Sequence, residues 1–215
     1  MVELHILDAQ GTLANYKKKI KELFRSSYKK ISEVLVVNAL DVTVEEEPKH
    51  VIPGMVIGGY APGPHRVEIY MDTSKVNFAR LFTAQFPVTL AHELHHAVRW
   101  KTVGYGTTLG EALVTEGLAM HFEAEVFPED LSPWAKALDE KQDKGLWPRV
   151  QKELTKKGYD HNAWFFGSHR KNIPHWAGYR IGYRLVGQYL SETGKLASEC
   201  VGVTAAKVLN QVGVE

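Results

Sequence analysis

Apolar and polar positions follow two different periods along this chain. From Leu13 to Val34, the residues Tyr16, Ile20, Leu23, Phe24, Ile31 and Val34 recur at helical spacing among lysines and glutamates, as on one helix face. The stretch before it, Met1–Leu13, is polar, with Glu3, Asp8 and Gln10, and no element is assigned there. Leu35–Val44 is dominated by β-branched residues and reads as a strand. Another strand is expected over Val51–Tyr60, interrupted by Pro53, Gly58 and Gly59, with Ala61-Pro62-Gly63-Pro64 as a turn. Val67–Met71 alternates again, so the two segments flanking the turn read as a hairpin or the edge of a small sheet.

After Ser74 the period becomes helical. Pro87, whose missing N–H is harmless in a first turn, is expected to open a helix carrying Val88–Trp100, broken by Gly104 and Gly106. Further helices are expected over Leu109–Val126, Pro133–Lys141, Trp147–Lys156, Pro174–Leu190 and Ala205–Val212. A helix, a small sheet and then mostly helices predict an α+β fold. The expected organisation is one domain over residues 1–215, with an upper lobe of about 1–101 and a lower lobe of about 102–215.

Composition changes this picture little. With 44% hydrophobic and 24% charged residues, the chain can bury a sizeable core. The net charge of +1 gives no reason to expect a nucleic-acid partner. The basic run Lys17, Lys18, Lys19, Lys21, Arg25, Lys29 and Lys30 interleaves with the apolar positions of the first helix. It reads as a solvated helix face, with attachment to an anionic membrane surface as the alternative. The single cysteine, Cys200, admits no internal disulfide and suits a reducing compartment. No basic-then-apolar leader and no membrane-length apolar run is present, so a cytoplasmic location without a membrane span is expected.

The chemistry concentrates in His92-Glu93-Leu94-His95-His96. Residues four apart share a helix face, so His92 and His96 can aim two imidazoles at one metal ion. Glu93, beside them, can take a proton from water at that metal. Phe86, Val88, Leu90, Ala91, Leu94, Ala97 and Val98 would bury the same helix. Three histidines and a glutamate there are costly unless something pairs with them. His95 is the spare, expected to face away and pack or hydrogen-bond, with ligation in place of His96 as the alternative. Satisfied core histidines in a metal-free protein are the plainer alternative.

A catalytic zinc needs a third protein ligand and one open position. Glu111, Glu116, His121 and Glu123 qualify. Thr108-Leu109-Gly110-Glu111 reads as a capping box, which gives Glu111 a structural task. Glu116 shares its face with Ala112, Leu113, Ala119 and Met120, where a carboxylate must be protonated, paired or bound to metal. Glu116 is therefore the favoured third ligand, and Gly117 is expected to let its helix approach the His92–His96 helix.

Glu116 follows His96 by twenty positions, which resembles the gluzincin pattern of metallopeptidases. The fuller segments Ala91–Arg99 and Gly110–Ala119 resemble a narrower family, the domain of unknown function 2268, whose members are named zinc-dependent proteases. The likeness extends from the sheet region to the C-terminal helix and is weakest over residues 1–50. It implies a zincin-like, two-lobed gluzincin fold: a small sheet, an active-site helix and a helical lower lobe. It also implies Zn²⁺ as cofactor, His92, His96 and Glu116 as its ligands, and Glu93 as general base. Peptidases of this type place a Tyr, His or Arg near zinc to stabilise the oxyanion. In Ala177-Gly178-Tyr179-Arg180-Ile181-Gly182-Tyr183 that residue is expected to be Tyr179, with His175 and Tyr183 as rivals. Alternatively these tyrosines are core residues with satisfied hydroxyls. Gly178 and Gly182 leave a bare face for close helix packing.

Arg99 either pairs with a carboxylate or faces solvent. Trp164-Phe165-Phe166-Gly167 reads as core, with a substrate pocket as the alternative. Val67–Met71, preceding the metal helix, is expected to bind extended substrate as an edge strand. The expected function is zinc-dependent hydrolysis of peptide bonds in a peptide or protein substrate. The alternatives are a metal-dependent hydrolase of non-peptide amides and a catalytically silent zinc-binding module.

Overall fold

The computed structural model of the protein describes residues 1–129, 133–136, 138 and 140–214. Its fold is α+β, with one four-stranded sheet and seven α-helices among the described residues. The chain divides into two compact units, one built on Met1–Thr102 and the other starting at Val103.

The first unit holds the sheet. Strand β1 (Val2–Leu7) is followed by helix α1 (Lys17–Val34), and then by strands β2 (Leu40–Glu46), β3 (Ile57–Gly63) and β4 (Arg66–Met71) and helix α2 (Phe78–Trp100). β1 lies where no element is expected. Its Val2, Leu4 and Ile6 turn inward while Glu3, His5 and Leu7 are exposed, a period-2 pattern hidden by the polar half of the alternation. The strand order is β1-β2-β4-β3. β1, β2 and β4 are mutually parallel, and β3 is antiparallel to β4. β3 and β4 are the expected hairpin, with β3 running on through Ala61-Pro62-Gly63, the segment read as a turn.

β4 is paired on both sides, because β2 occupies its other flank. It therefore cannot be the edge strand that Val67–Met71 was expected to provide. β3 holds that place.

Helix α2 starts nine residues before Pro87, which lies inside it rather than opening it. Phe78, Phe82 and Phe86 explain the extension. They follow at i, i+4, i+8, with successive ring centroids 5.5 and 5.4 Å apart. All three are buried, and burying each contributes roughly 1.5–3 kcal/mol, enough to offset a helix proline's penalty of about 3 kcal/mol. Leu13, Ile20 and Ile31, and Val42, Val44, Val67 and Ile69 of β2 and β4, are also buried, each at most 1% exposed.

The second unit is helical: α3 (Leu109–Val126), α4 (Glu140–Glu153), α5 (His161–Phe166), α6 (Ala177–Thr193) and α7 (Ala205–Gln211). Pro133–Lys136 is a single 3₁₀ turn, and residues 137 and 139 of the helix expected there lie outside the described ones. α4 begins seven residues before the expected Trp147. α5 is an addition, capped by Asp160, whose side chain accepts from the Ala163 N–H. It drives Trp164 and Phe165 fully into a core with Leu113, Ile181, Leu185 and Tyr189, while Phe166 stays 40% exposed. The core reading of Trp164-Phe165 thus describes two of the three aromatics.

Gly182 of α6 is what lets α3 and α6 meet. A Cβ there would stand 2.2 Å from the Leu113 carbonyl oxygen, and one at Gly117 would stand 2.3 Å from the Gly182 oxygen. The bare face expected at Gly182 is real. Gly117 faces Gly182 and Val186 of α6. Gly178 faces the Phe165 ring. No helix among the described residues is long and apolar enough to cross a membrane.

Candidate metal centre

Helix α2 buries five polar side chains: His92, Glu93, His95, His96 and Arg99 are 8, 7, 0, 6 and 2% exposed. One helical turn brings His92 and His96 together. Their Nε2 atoms are 2.9 Å apart, and the rings stand nearly perpendicular at 88°. Two nitrogens each about 2.0–2.1 Å from one tetrahedral ion would be about 3.3 Å apart, so this pair fits a shared ion with a few tenths of an ångström of adjustment. His95 is fully buried, with its ring centroid 6.5 Å from that of His96. Arg99 is 2% exposed, which removes the solvent-facing alternative.

Glu93 lies against the sheet. A Cβ built on Gly59 of β3 would be 2.6 Å from Glu93 Cγ and 2.7 Å from its Oε1. At the C-terminal end of α2, the Trp100 indole N–H donates to the Ala61 carbonyl at 3.0 Å, which ties the helix to the same strand.

In the second unit Glu116 is buried on α3 at 5% exposure. The Tyr105 hydroxyl donates to its Oε1 at 2.6 Å. Tyr105 sits between Gly104 and Gly106, both at positive φ (71° and 97°), and its carbonyl accepts from the Thr115 hydroxyl at 3.1 Å. That loop delivers a phenol to the carboxylate eleven residues on. Sequence reading takes Gly104 and Gly106 as a helix break and passes over the aromatic between them, which is the signal that was available.

The electrostatics gather around Glu116. Burial first, and then the Glu116 charge, push the Tyr105 phenol well above its ordinary pKa. The same two causes, in the same order, raise Tyr159. His161 is held low by burial against the upward pull of Glu116. Its Nδ1 is 2.9 Å from the Tyr159 hydroxyl, and its ring stacks on Phe165 at 4.5 Å. Tyr159 and His161 were also absent from the sequence reading, since nothing local links residues 159–161 to residue 116.

The other expected residues fall as follows. Glu111 Oε2 accepts from the Thr107 and Thr108 backbone N–H groups and the Thr108 hydroxyl, at 2.8, 2.9 and 2.9 Å. The Glu111 N–H returns a bond to Thr108 Oγ1 at 3.3 Å, so Glu111 serves the cap. His121 stacks flat on Tyr183 at 4.0 Å, with Nε2 2.8 Å from the Tyr183 carbonyl oxygen, and burial lowers its pKa. Glu123 is 2% exposed. Tyr179 is half-buried, edge-on to Phe165 at 4.9 Å and tilted against Trp134 at 5.6 Å. It is also an electrostatic neighbour of Tyr105. His175 is exposed and stacks on Trp176 at 4.3 Å.

A family model described as predicted Zn-dependent protease, the domain of unknown function 2268, matches residues 16–210. The match takes in α1, which sequence resemblance alone had left weak. The uncharacterized protein YjfC of Bacillus subtilis (strain 168) is 26% identical over 169 residues, which is 73% of this chain and 55% of that protein. The chain therefore spans about half the length of this curated relative. No solved structure matches the chain.

Proposed function

The chain belongs to the domain of unknown function 2268 family of predicted Zn-dependent proteases, and from that premise we propose that it hydrolyses peptide bonds with a zinc ion and a glutamate general base. The observation that carries the reading is the pair of buried imidazoles on one turn of α2, with Nε2 atoms 2.9 Å apart and the Glu93 carboxylate next in sequence. His92 and His96 would hold the ion, and Glu116 is the proposed third ligand. Glu116 is buried on an apolar helix and braced by a phenol, the outer-shell support that metal-ligating carboxylates receive.

Bound zinc would polarise the scissile carbonyl and make water acidic enough to ionise near neutral pH. Glu93 takes the proton from the attacking water and delivers it to the leaving amine. Tyr179 is the proposed donor to the oxyanion. The edge strand β3 takes over the substrate-binding role first expected of Val67–Met71. An extended peptide adding along it would be held by backbone hydrogen bonds.

The test is metal analysis and turnover on wild type and Glu93→Gln. Wild type should carry near-stoichiometric zinc and cleave members of a broad peptide library. Glu93→Gln should keep the zinc and lose at least about 100-fold in kcat, the lower end of a general base's contribution. Equal cleavage by the variant refutes the mechanism. Zinc without peptide cleavage, followed by turnover of small acylated amides, would move the substrate class. Zinc with neither would mark a silent binding module.

A further inference from the structure

Strand β3 and helix α2 meet at one residue without a side chain. The antiparallel register pairs Ile57 with Met71, Gly58 with Tyr70, Gly59 with Ile69 and Tyr60 with Glu68. The Asp72 N–H donates to the Val56 carbonyl, a bond that brackets Ile57–Met71 as a non-bonded pair and places the hydrogen-bonded pairs at 58–70 and 60–68. In an antiparallel ladder such pairs alternate with non-bonded ones. Gly58 and Tyr60 therefore turn their backbone groups toward β4. Ile57 and Gly59 turn theirs to the opposite side, where no further strand follows among the described residues. Farther along β3, the Ala61 carbonyl is already taken by the Trp100 indole, so an added strand loses that acceptor. The backbone of Gly59 is then the outward-facing polar group next to the general base.

The α-carbon of Gly59 has a second neighbour. A Cβ there would stand 2.6 Å from Glu93 Cγ, 2.7 Å from Glu93 Oε1 and 2.8 Å from Thr89 Cγ2, all closer than a carbon tolerates. The φ of Gly59 does not lie in the left-handed region, so conformation does not demand glycine. Space does. We infer that Gly59 is a positioning residue: its missing side chain is the slot in which the Glu93 carboxylate lies, and it brings the base to the strand position where an extended substrate would present its backbone. This rests on the peptidase reading of Glu93. The steric contact itself does not depend on that reading.

Gly59→Ala tests the inference in two ways. Zinc content should stay near wild type, since neither histidine is touched. kcat should fall about 100-fold with KM little changed, the scale on which a displacement of about 1 Å costs rate. Because Glu93→Asp draws the carboxylate back by one methylene, Gly59→Ala should cost several-fold less in kcat in that background than in wild type. The second readout needs no activity. On the full chain, with and without zinc, Gly59→Ala should lower Tm in wild type and lower it less in a Glu93→Ala background, where two of the three closest contacts are gone. If Gly59→Ala turns over like wild type, or its Tm effect is identical in both backgrounds, the inference is overturned. If wild type cleaves nothing yet the Tm effects are coupled, the peptidase reading fails while the Gly59–Glu93 slot stands.

Discussion

Tyr105 and Glu116 show what single residues contribute. A carboxylate at 5% exposure needs partners, and the phenol 2.6 Å away supplies one while fixing the plane in which the carboxylate sits. Tyr105→Phe removes only that hydroxyl. Zinc affinity should weaken about 10- to 100-fold, the usual cost of losing an outer-shell partner, as read by competition with a chromophoric chelator. Equal affinity in the variant would show that Glu116 is not a ligand or needs no bracing. Glu116 was legible as a charge on an apolar stripe. Tyr105 was not, because its value depends on a loop that folds back onto α3.

At the scale of elements, the start of α3 and its contact with α6 carry separate predictions. The Thr108–Glu111 box satisfies backbone donors that the first helical turn leaves without partners. Thr108→Ala should cost about 1 kcal/mol, measured by denaturant unfolding. Hydrogen bonds, first from the Thr107 N–H, hold the Glu111 carboxyl below its ordinary pKa. A depressed folded pKa stabilises the protein above the unfolded value of about 4.3. That contribution disappears as acid carries the pH down through the folded value. The stability advantage of wild type over Glu111→Gln should therefore be present at pH 7 and close below about pH 4. If the gap stays constant across that range, Glu111 does not act through its charge.

Gly182→Ala sets a methyl 2.2 Å from the Leu113 oxygen. Backbone cannot yield as a side-chain tip can. The overpacking should cost about 1–3 kcal/mol or more, seen as a clear fall in Tm; an unchanged Tm would mean α3 and α6 can separate without penalty. The helix period of α3 and α6 could be read from the chain, but which glycine faces which helix could not. Gly117 is a clearance for α6.

For the whole molecule, zinc that binds only the folded chain stabilises it by mass action, about 2.7 kcal/mol at a concentration one hundred times Kd. Chelation should lower Tm, and added zinc should restore it. A Tm indifferent to chelator would contradict the metal reading at this scale. The topology also redirects the search for a substrate-binding strand. Hydrophobic alternation in Val67–Met71 marks a strand but not its neighbours, and β2 closes the flank that an edge strand would leave open.

The sequence by itself determined whatever depends on local geometry. The four-residue spacing of His92 and His96 and the three-residue spacing of Thr108 and Glu111 follow from the pitch of a helix, and the hairpin follows from alternation about a turn. The tertiary structure decided what depends on residues meeting across long stretches of chain: the strand order, the passage of α2 through Pro87, the phenol on Glu116 and the bare slot of Gly59 beneath Glu93. Backbone geometry repeats every few residues and leaves its period in the sequence. Packing sums many weak contacts between distant segments, and no single segment records that sum.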